Sequence, residues 1–156
     1  MSVGVYFGED LIFRDLEFSS SEEVLKFLSS QLKEKGYVKE GYQEAILNRE
    51  KDYPTGLPSV GIKIAIPHAD HTLVNTATLA VGVLKKPVEF MCMDDPDKGL
   101  DVSIVIMLAL NEPHGHIEML QRVVKLIKAP EVLKAVVDSK SSEEVMSNLR
   151  PYLIEE

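Results

Sequence analysis

Apolar and polar positions divide the chain into two helical ends around a β-rich middle. In SSSEEVLKFLSSQLKEKG, the residues Val24, Leu25, Leu28 and Leu32 recur at helical spacing and share one face, the stripe of a helix packed on a core. Ser20 and Glu23 stand at capping-box spacing at its start, and Gly36 supplies its stop. A second helix is predicted over GYQEAILNRE, carrying Ala45 and Ile46, with the Arg49 region near its end.

From Tyr53 the pattern changes. YPTGLPSVG places two prolines and two glycines in nine residues, which is turn chemistry. Strands are then predicted at 63–68 (KIAIPH), 76–84 (TATLAVGVL) and 101–110 (DVSIVIMLAL). The last is apolar at nearly every position, as a strand covered on both faces by helices must be. Helix returns in HIEMLQRVVKLIKA, where Ile117, Leu120, Val124 and Ile127 form one stripe and Pro130 follows the end. A short helix at 131–138 and a last one opened by a Ser141/Glu144 capping box complete the chain. This order predicts an α/β (α+β) fold, a small sheet sandwiched by helices, with ligands in the crevice where strands give way to loops.

Length and composition narrow the classes. With 156 residues, no repeat and no Gly/Ser linker, residues 1–156 are expected to form a single domain. A net charge of −8, from 17 basic against 25 acidic residues, speaks against nucleic-acid binding, because an acidic surface repels phosphate backbones. It leaves room for one locally bound phosphoryl group. The lone Cys92 excludes an internal disulfide framework and fits a reducing compartment. MSVGVYFGED does not read as a signal peptide, and IVIMLAL is far short of the ~20 apolar residues a bilayer requires. The expectation is a soluble, cytosolic protein.

Candidate chemistry begins at IAIPHADH, residues 64–71, where two of the chain's four histidines follow a predicted buried strand. Neutral imidazole is a competent nucleophile near pH 7, and Pro67 fixes the backbone leading into His68. A second reading gathers His68, Asp70, His71, His114 and His116 as ligands of a metal-dependent hydrolase. Against it, no H-x-x-x-H pair or other compact helical metal motif occurs. No P-loop, Rossmann glycine string or nucleophile elbow is present either. Cys92, among apolar neighbours, reads as a buried thiol; DDPD at 94–97 reads as a solvated turn.

The stretch LNREKDYPTGLPSVGIKIAIPHAD resembles the phosphorylation-site region of enzyme IIA domains of the bacterial phosphotransferase system, in the fructose/mannitol superfamily. The matching residues are Arg49-Glu50, Pro54-Thr55-Gly56 and the IAIPH signature ending in His68, with HIEML at 116–120 similar to the family's second-histidine segment. YPTGL and DDPDKGLDVSIVIMLAL look most like the galactitol-type branch. The resemblance implies a mixed sheet flanked by helices and a phosphocarrier that needs no metal or nucleotide cofactor. His68 would accept a phosphoryl group from the phosphocarrier protein HPr and pass it to a cysteine of enzyme IIB, which phosphorylates sugar imported by the membrane component IIC. Arg49 would be a supporting cation and His116 a supporting histidine, with His114 competing for the second role. Related IIA-like domains act as regulators, so the resemblance also admits a regulatory phosphoprotein not coupled to transport.

Overall fold

The computed structural model describes residues 4–155; Met1–Val3 and Glu156, and with them the first residues of MSVGVYFGED, lie outside the described residues. A four-stranded mixed sheet with strand order β1-β3-β4-β2 forms the middle layer. Its strands are β1 (Ile12–Leu16), β2 (Lys63–Ala65), β3 (Thr78–Met91) and β4 (Gly99–Ala109). β3 and β4 make a long antiparallel hairpin, and β1 and β2 flank it, each parallel to its neighbour. Helices α1 (Ser21–Glu34) and α2 (Tyr42–Asp52) cover one face; α3 (Pro113–Ile127), α4 (Pro130–Val137) and α5 (Ser142–Leu153) cover the other.

The continuous apolar run in β4 is explained by this sandwich. Ile104, Ile106 and Leu108 belong to the core under α3–α5, while Val105, Met107 and Ala109 belong to the core under α1 and α2. Alternate side chains point to opposite faces, so a strand covered twice has no polar face to spare. On the helices, Val24, Leu25, Leu28 and Leu32 are all buried, as their spacing requires. Both predicted caps form: Ser20 Oγ accepts from the Glu23 amide and Ser141 Oγ from the Glu144 amide. Cys92 is buried in the core under α1 and α2, and residues 94–97 form an exposed turn.

Three expectations need correction. β1 was not among the predicted strands: IFRDL is short, carries charge, and is irregular, with Asp15 at φ 54° where the register shifts between Phe13 and Leu16. β3 runs on past residue 84 to Met91, through a register shift that absorbs exposed Lys85, Lys86 and Pro87. The buried face of α3 is also rotated by one residue. Met119, Val123 and Leu126 are buried, Leu120, Val124 and Ile127 are half-buried, and Ile117 is 59% exposed. The cause is the approach of α3 to the sheet, which spacing alone leaves free.

Candidate functional site

The site lies where β2 ends. Beyond Ala65 the chain stays beside β4: the Leu108 amide donates to the Pro67 carbonyl at 2.9 Å, and His68 bridges Leu108. Pro67 fixes the backbone torsion entering His68 and has no amide that would need a partner on this edge. On the outer side of β2, Gly56 pairs with Ala65, and segment 55–57 covers the edge. Gly56 is required there, because a Cβ at that position would sit 2.6 Å from the Met91 carbonyl oxygen.

His68 is half-buried, and its ring is oriented by its own strand: Nδ1 lies 2.9 Å from the Ile66 carbonyl oxygen. A carbonyl can only accept, so Nδ1 carries the proton and Nε2 keeps its lone pair. Burial holds the His68 pKa below the ordinary imidazole value; the Ile66 carbonyl opposes that and the Arg49 charge adds to it. At neutral pH the ring is therefore neutral, with an unprotonated Nε2.

The second ring comes from the other helical layer. His116, in the first turns of α3, lies with its ring centroid 4.9 Å from that of His68, the planes tilted by 35°. Its Nε2 is buried and has no hydrogen-bond partner among the described residues. Burial, then the neighbouring His68 and Arg49, pushes its pKa down to about 4, so it too is neutral at pH 7. An unmet polar nitrogen beside a second imidazole leaves a position open to a ligand atom.

Arg49 reaches the site from the last turn of α2, its guanidinium carbon 5.2 Å from the centroid of the Tyr53 ring, in cation–π range. Arg49, His68 and His116 line one cavity of about 340 Å³, whose remaining wall is mostly apolar: Tyr53, Pro54, Met93, Ile117 and Leu120 among others. One cation and two uncharged imidazoles in an apolar cleft favour an anion with several acceptor oxygens.

The structure thus brings His68, His116 and Arg49 together and separates the other candidates. His114, two residues before His116, is exposed and lines a different depression beside Leu110 and Asn111. Asp70 is occupied locally, accepting from the Thr72 amide and hydroxyl at 2.8 and 2.7 Å, and is 3.6 Å from the His71 ring. The five side chains of the metal reading do not converge: among the described residues no group of three or more His, Cys, Asp or Glu side chains could hold a metal ion. Also among the described residues, no helix is long and apolar enough to cross a membrane.

Sequence reasoning named Glu50 and Thr55 as part of a motif but gave them no role. Glu50 accepts from the Thr55 amide at 2.8 Å and from the Thr55 hydroxyl at 2.9 Å, tying the covering segment to α2. Burial pushes the Glu50 carboxyl up to about 7, and the two Thr55 bonds pull it back toward the ordinary value. Met93 and Pro96 also reach the cavity, from the turn between β3 and β4, and no local pattern marks them.

Comparison with known proteins places the fold. Residues 5–151 match the family described as "Phosphoenolpyruvate-dependent sugar phosphotransferase system, EIIA 2". A mannitol-specific EIICBA component of Buchnera aphidicola is 30% identical over 132 residues, which take in 82% of this chain and 19% of that protein. The chain thus spans about a fifth of that relative's length. The galactitol-specific EIIA component of Escherichia coli is 27% identical over 124 residues, covering 78% of this chain and 81% of that protein. Among solved structures, a chain of the Escherichia coli complex of enzyme IIAMtl and phosphorylated enzyme IIBMtl superposes with TM-score 0.73 and 26% identity, covering 92% of this chain and 98% of that one. The family match, the shared mixed-sheet fold and the paired imidazoles at its strand end lead to one conclusion: the chain belongs to the EIIA 2 family of the phosphoenolpyruvate-dependent sugar phosphotransferase system, whose EIIA components are phosphotransferases that carry phosphoryl groups between proteins.

Proposed function

We propose that this protein is a phosphocarrier in which His68 Nε2 takes a phosphoryl group from phospho-HPr and passes it to a cysteine of an enzyme IIB, in the uptake of galactitol or a related polyol through a membrane IIC component. The observation that carries the reading is the fixed ring of His68. With Nδ1–H held by the Ile66 carbonyl, Nε2 keeps its lone pair on a ring that lines the cavity shared with His116 and Arg49. In the forward step the Nε2–P bond forms as the N–P bond of the donor phosphohistidine breaks, and the donor ring leaves as neutral imidazole. Positive charge gathers on the His68 ring, and the Ile66 carbonyl attracts it through Nδ1–H. Arg49 offsets the charge of the phosphoryl oxygens, and His116 Nε2, with no partner among the described residues, donates to one of them in its Nε2–H tautomer. Transfer onward reverses the geometry, with the IIB thiolate as the attacking group.

Such chemistry rests mainly on positioning and charge. The exposed apolar rim supports the reading as well. Tyr53, 64% exposed, and Ile117 flank the cavity, where a docked partner would exclude water from a hydrolysis-prone phosphohistidine. The mannitol-specific and galactitol-specific relatives support a polyol, and the IIAMtl–IIBMtl complex supports a IIB partner. The reading implies a cytosolic site of action and a single domain spanning residues 1–156.

The test is intact mass after incubation with phosphoenolpyruvate, enzyme I and HPr, on wild type and His68→Ala. A gain of one acid-labile phosphate by wild type alone is expected. Equal uptake by His68→Ala would sink the assignment.

A further inference from the structure

A path of hydrogen bonds leads from the interior of α2 to the reactive ring, and it begins at a residue that does not touch the cavity. The Glu50 carboxylate accepts the Thr55 amide and hydroxyl at 2.8 and 2.9 Å. The Thr55 carbonyl accepts the Ile66 amide at 3.2 Å. The Ile66 carbonyl accepts His68 Nδ1–H at 2.9 Å. Each link fixes the orientation of the next residue. Gly56 and Leu57 are held by backbone bonds to Met91, Met93 and Ile64, which leaves the Glu50 clamp to fix Thr55, itself 2% exposed.

We infer that Glu50 is a positioning residue that sets the tautomer and orientation of His68 through Thr55 and Ile66. The inference rests on His68 as the phosphoryl carrier and adds to that reading the residue that keeps Nε2, rather than Nδ1, available for attack. If segment 55–57 moves, the Ile66 amide loses its acceptor, the Ile66 carbonyl turns, and Nδ1–H loses the acceptor that selects it. Without that acceptor the two neutral tautomers of an imidazole are close in energy, so part of the population would present a protonated Nε2, which cannot attack.

The clamp has a chemical property that makes it testable. A protonated Glu50 can still hold Thr55, since its carbonyl oxygen accepts the amide and its O–H donates to the hydroxyl. A glutamine can do the same with its carbonyl and its amide nitrogen. Glu50→Gln should therefore rescue what Glu50→Ala loses, which a role for the negative charge would not allow.

The experiment follows the His68 ring nitrogens by 15N NMR in wild type, Glu50→Ala and Glu50→Gln, assigned with His68→Ala, beside the rate of phosphoryl uptake from phospho-HPr. Wild type should show the Nδ1–H form. Glu50→Ala should shift the ring signals toward a mixture of tautomers and slow uptake about tenfold, the scale of a modest misplacement of a reacting atom. Glu50→Gln should keep the wild-type spectrum and most of the rate. A folded Glu50→Ala with the wild-type tautomer overturns the inference, whether or not its rate falls. If Glu50→Ala does not fold, Thr55→Val removes one of the clamp's two bonds and should move the tautomer part of the way; an unmoved ring signal there overturns it equally. The NMR readout needs no phosphate, so it stands even if His68→Ala takes up phosphate and the carrier assignment itself fails.

Discussion

The end of α2 and the start of α3 meet at the same cavity, and they are finished in opposite ways. At the end of α2 the polar groups are matched: the Tyr53 amide donates to the Arg49 carbonyl at 2.7 Å, and Glu50 holds both donors of Thr55. At the start of α3 little is matched. Glu112 caps without a side-chain bond, Pro113 opens the helix, Ile117 is exposed, and His116 Nε2 has no partner among the described residues. A saturated helix end holds its neighbours in place, whereas an unsaturated one keeps valences for something that arrives. α2 builds the frame of the site, and α3 supplies its open side.

The two ends should therefore fail differently when altered. Arg49 is the member of the frame that faces the cavity. Arg49→Ala should slow phosphoryl uptake about a hundredfold, as loss of a preorganised charge does, with stability changed by no more than ~0.5 kcal/mol. Quench-flow uptake and urea melts would separate the two, and a large loss of stability would mean that Arg49 is part of the scaffold instead. Gly56→Ala attacks the frame itself. The methyl would meet the Met91 carbonyl at 2.6 Å, so a loss of about 2–3 kcal/mol in urea unfolding is expected from overpacking.

Acid–base linkage distinguishes the two ends by sign. Glu50 is raised to about 7 by burial, so the unfolded chain gives up this proton first, near its ordinary value of 4.5. Stability associated with Glu50 is then full below pH 4.5 and falls as pH rises toward 7, by on the order of 2 kcal/mol. Glu50→Gln should flatten that limb of the stability curve. His116 is lowered to about 4, so its contribution is present above pH 6.5 and is lost as pH falls from 6.5 to 4. Urea midpoints across that window should fall more steeply for wild type than for His116→Gln. The smallest effect belongs to the rim. Ile117→Ala should shift the melt by less than ~0.5 kcal/mol, since the side chain is already 59% exposed, while raising the concentration of phospho-HPr needed for half-maximal rate. An unchanged half-saturation would remove Ile117 from the docking surface.

Much of this was legible before any fold was known, because it depends on neighbours along the chain. The stripe Val24, Leu25, Leu28, Leu32, the caps at Ser20 and Ser141, and the doubly covered β4 follow from periodicity and local hydrogen bonding. His68 stood out because a proline-led strand end with a histidine is a local signal. The rest needed contacts between residues far apart in sequence. β1 is made a strand by its parallel partner β3 and has little strand character of its own. His116 and His114 are two positions apart on one helix, and only the rotation of α3 against the sheet turns the first toward His68 and leaves the second in solvent.

What the sequence determined by itself is therefore most of the elements and the candidate nucleophile, His68, since hydrophobic period, caps and a proline act over a few residues. What only the tertiary structure decided is the company His68 keeps. Arg49 comes from one helical layer and His116 from the other, and the path from Glu50 crosses two backbone segments to reach the ring. Those distances are set by how the two layers seat on the sheet, and no spacing along the chain encodes that.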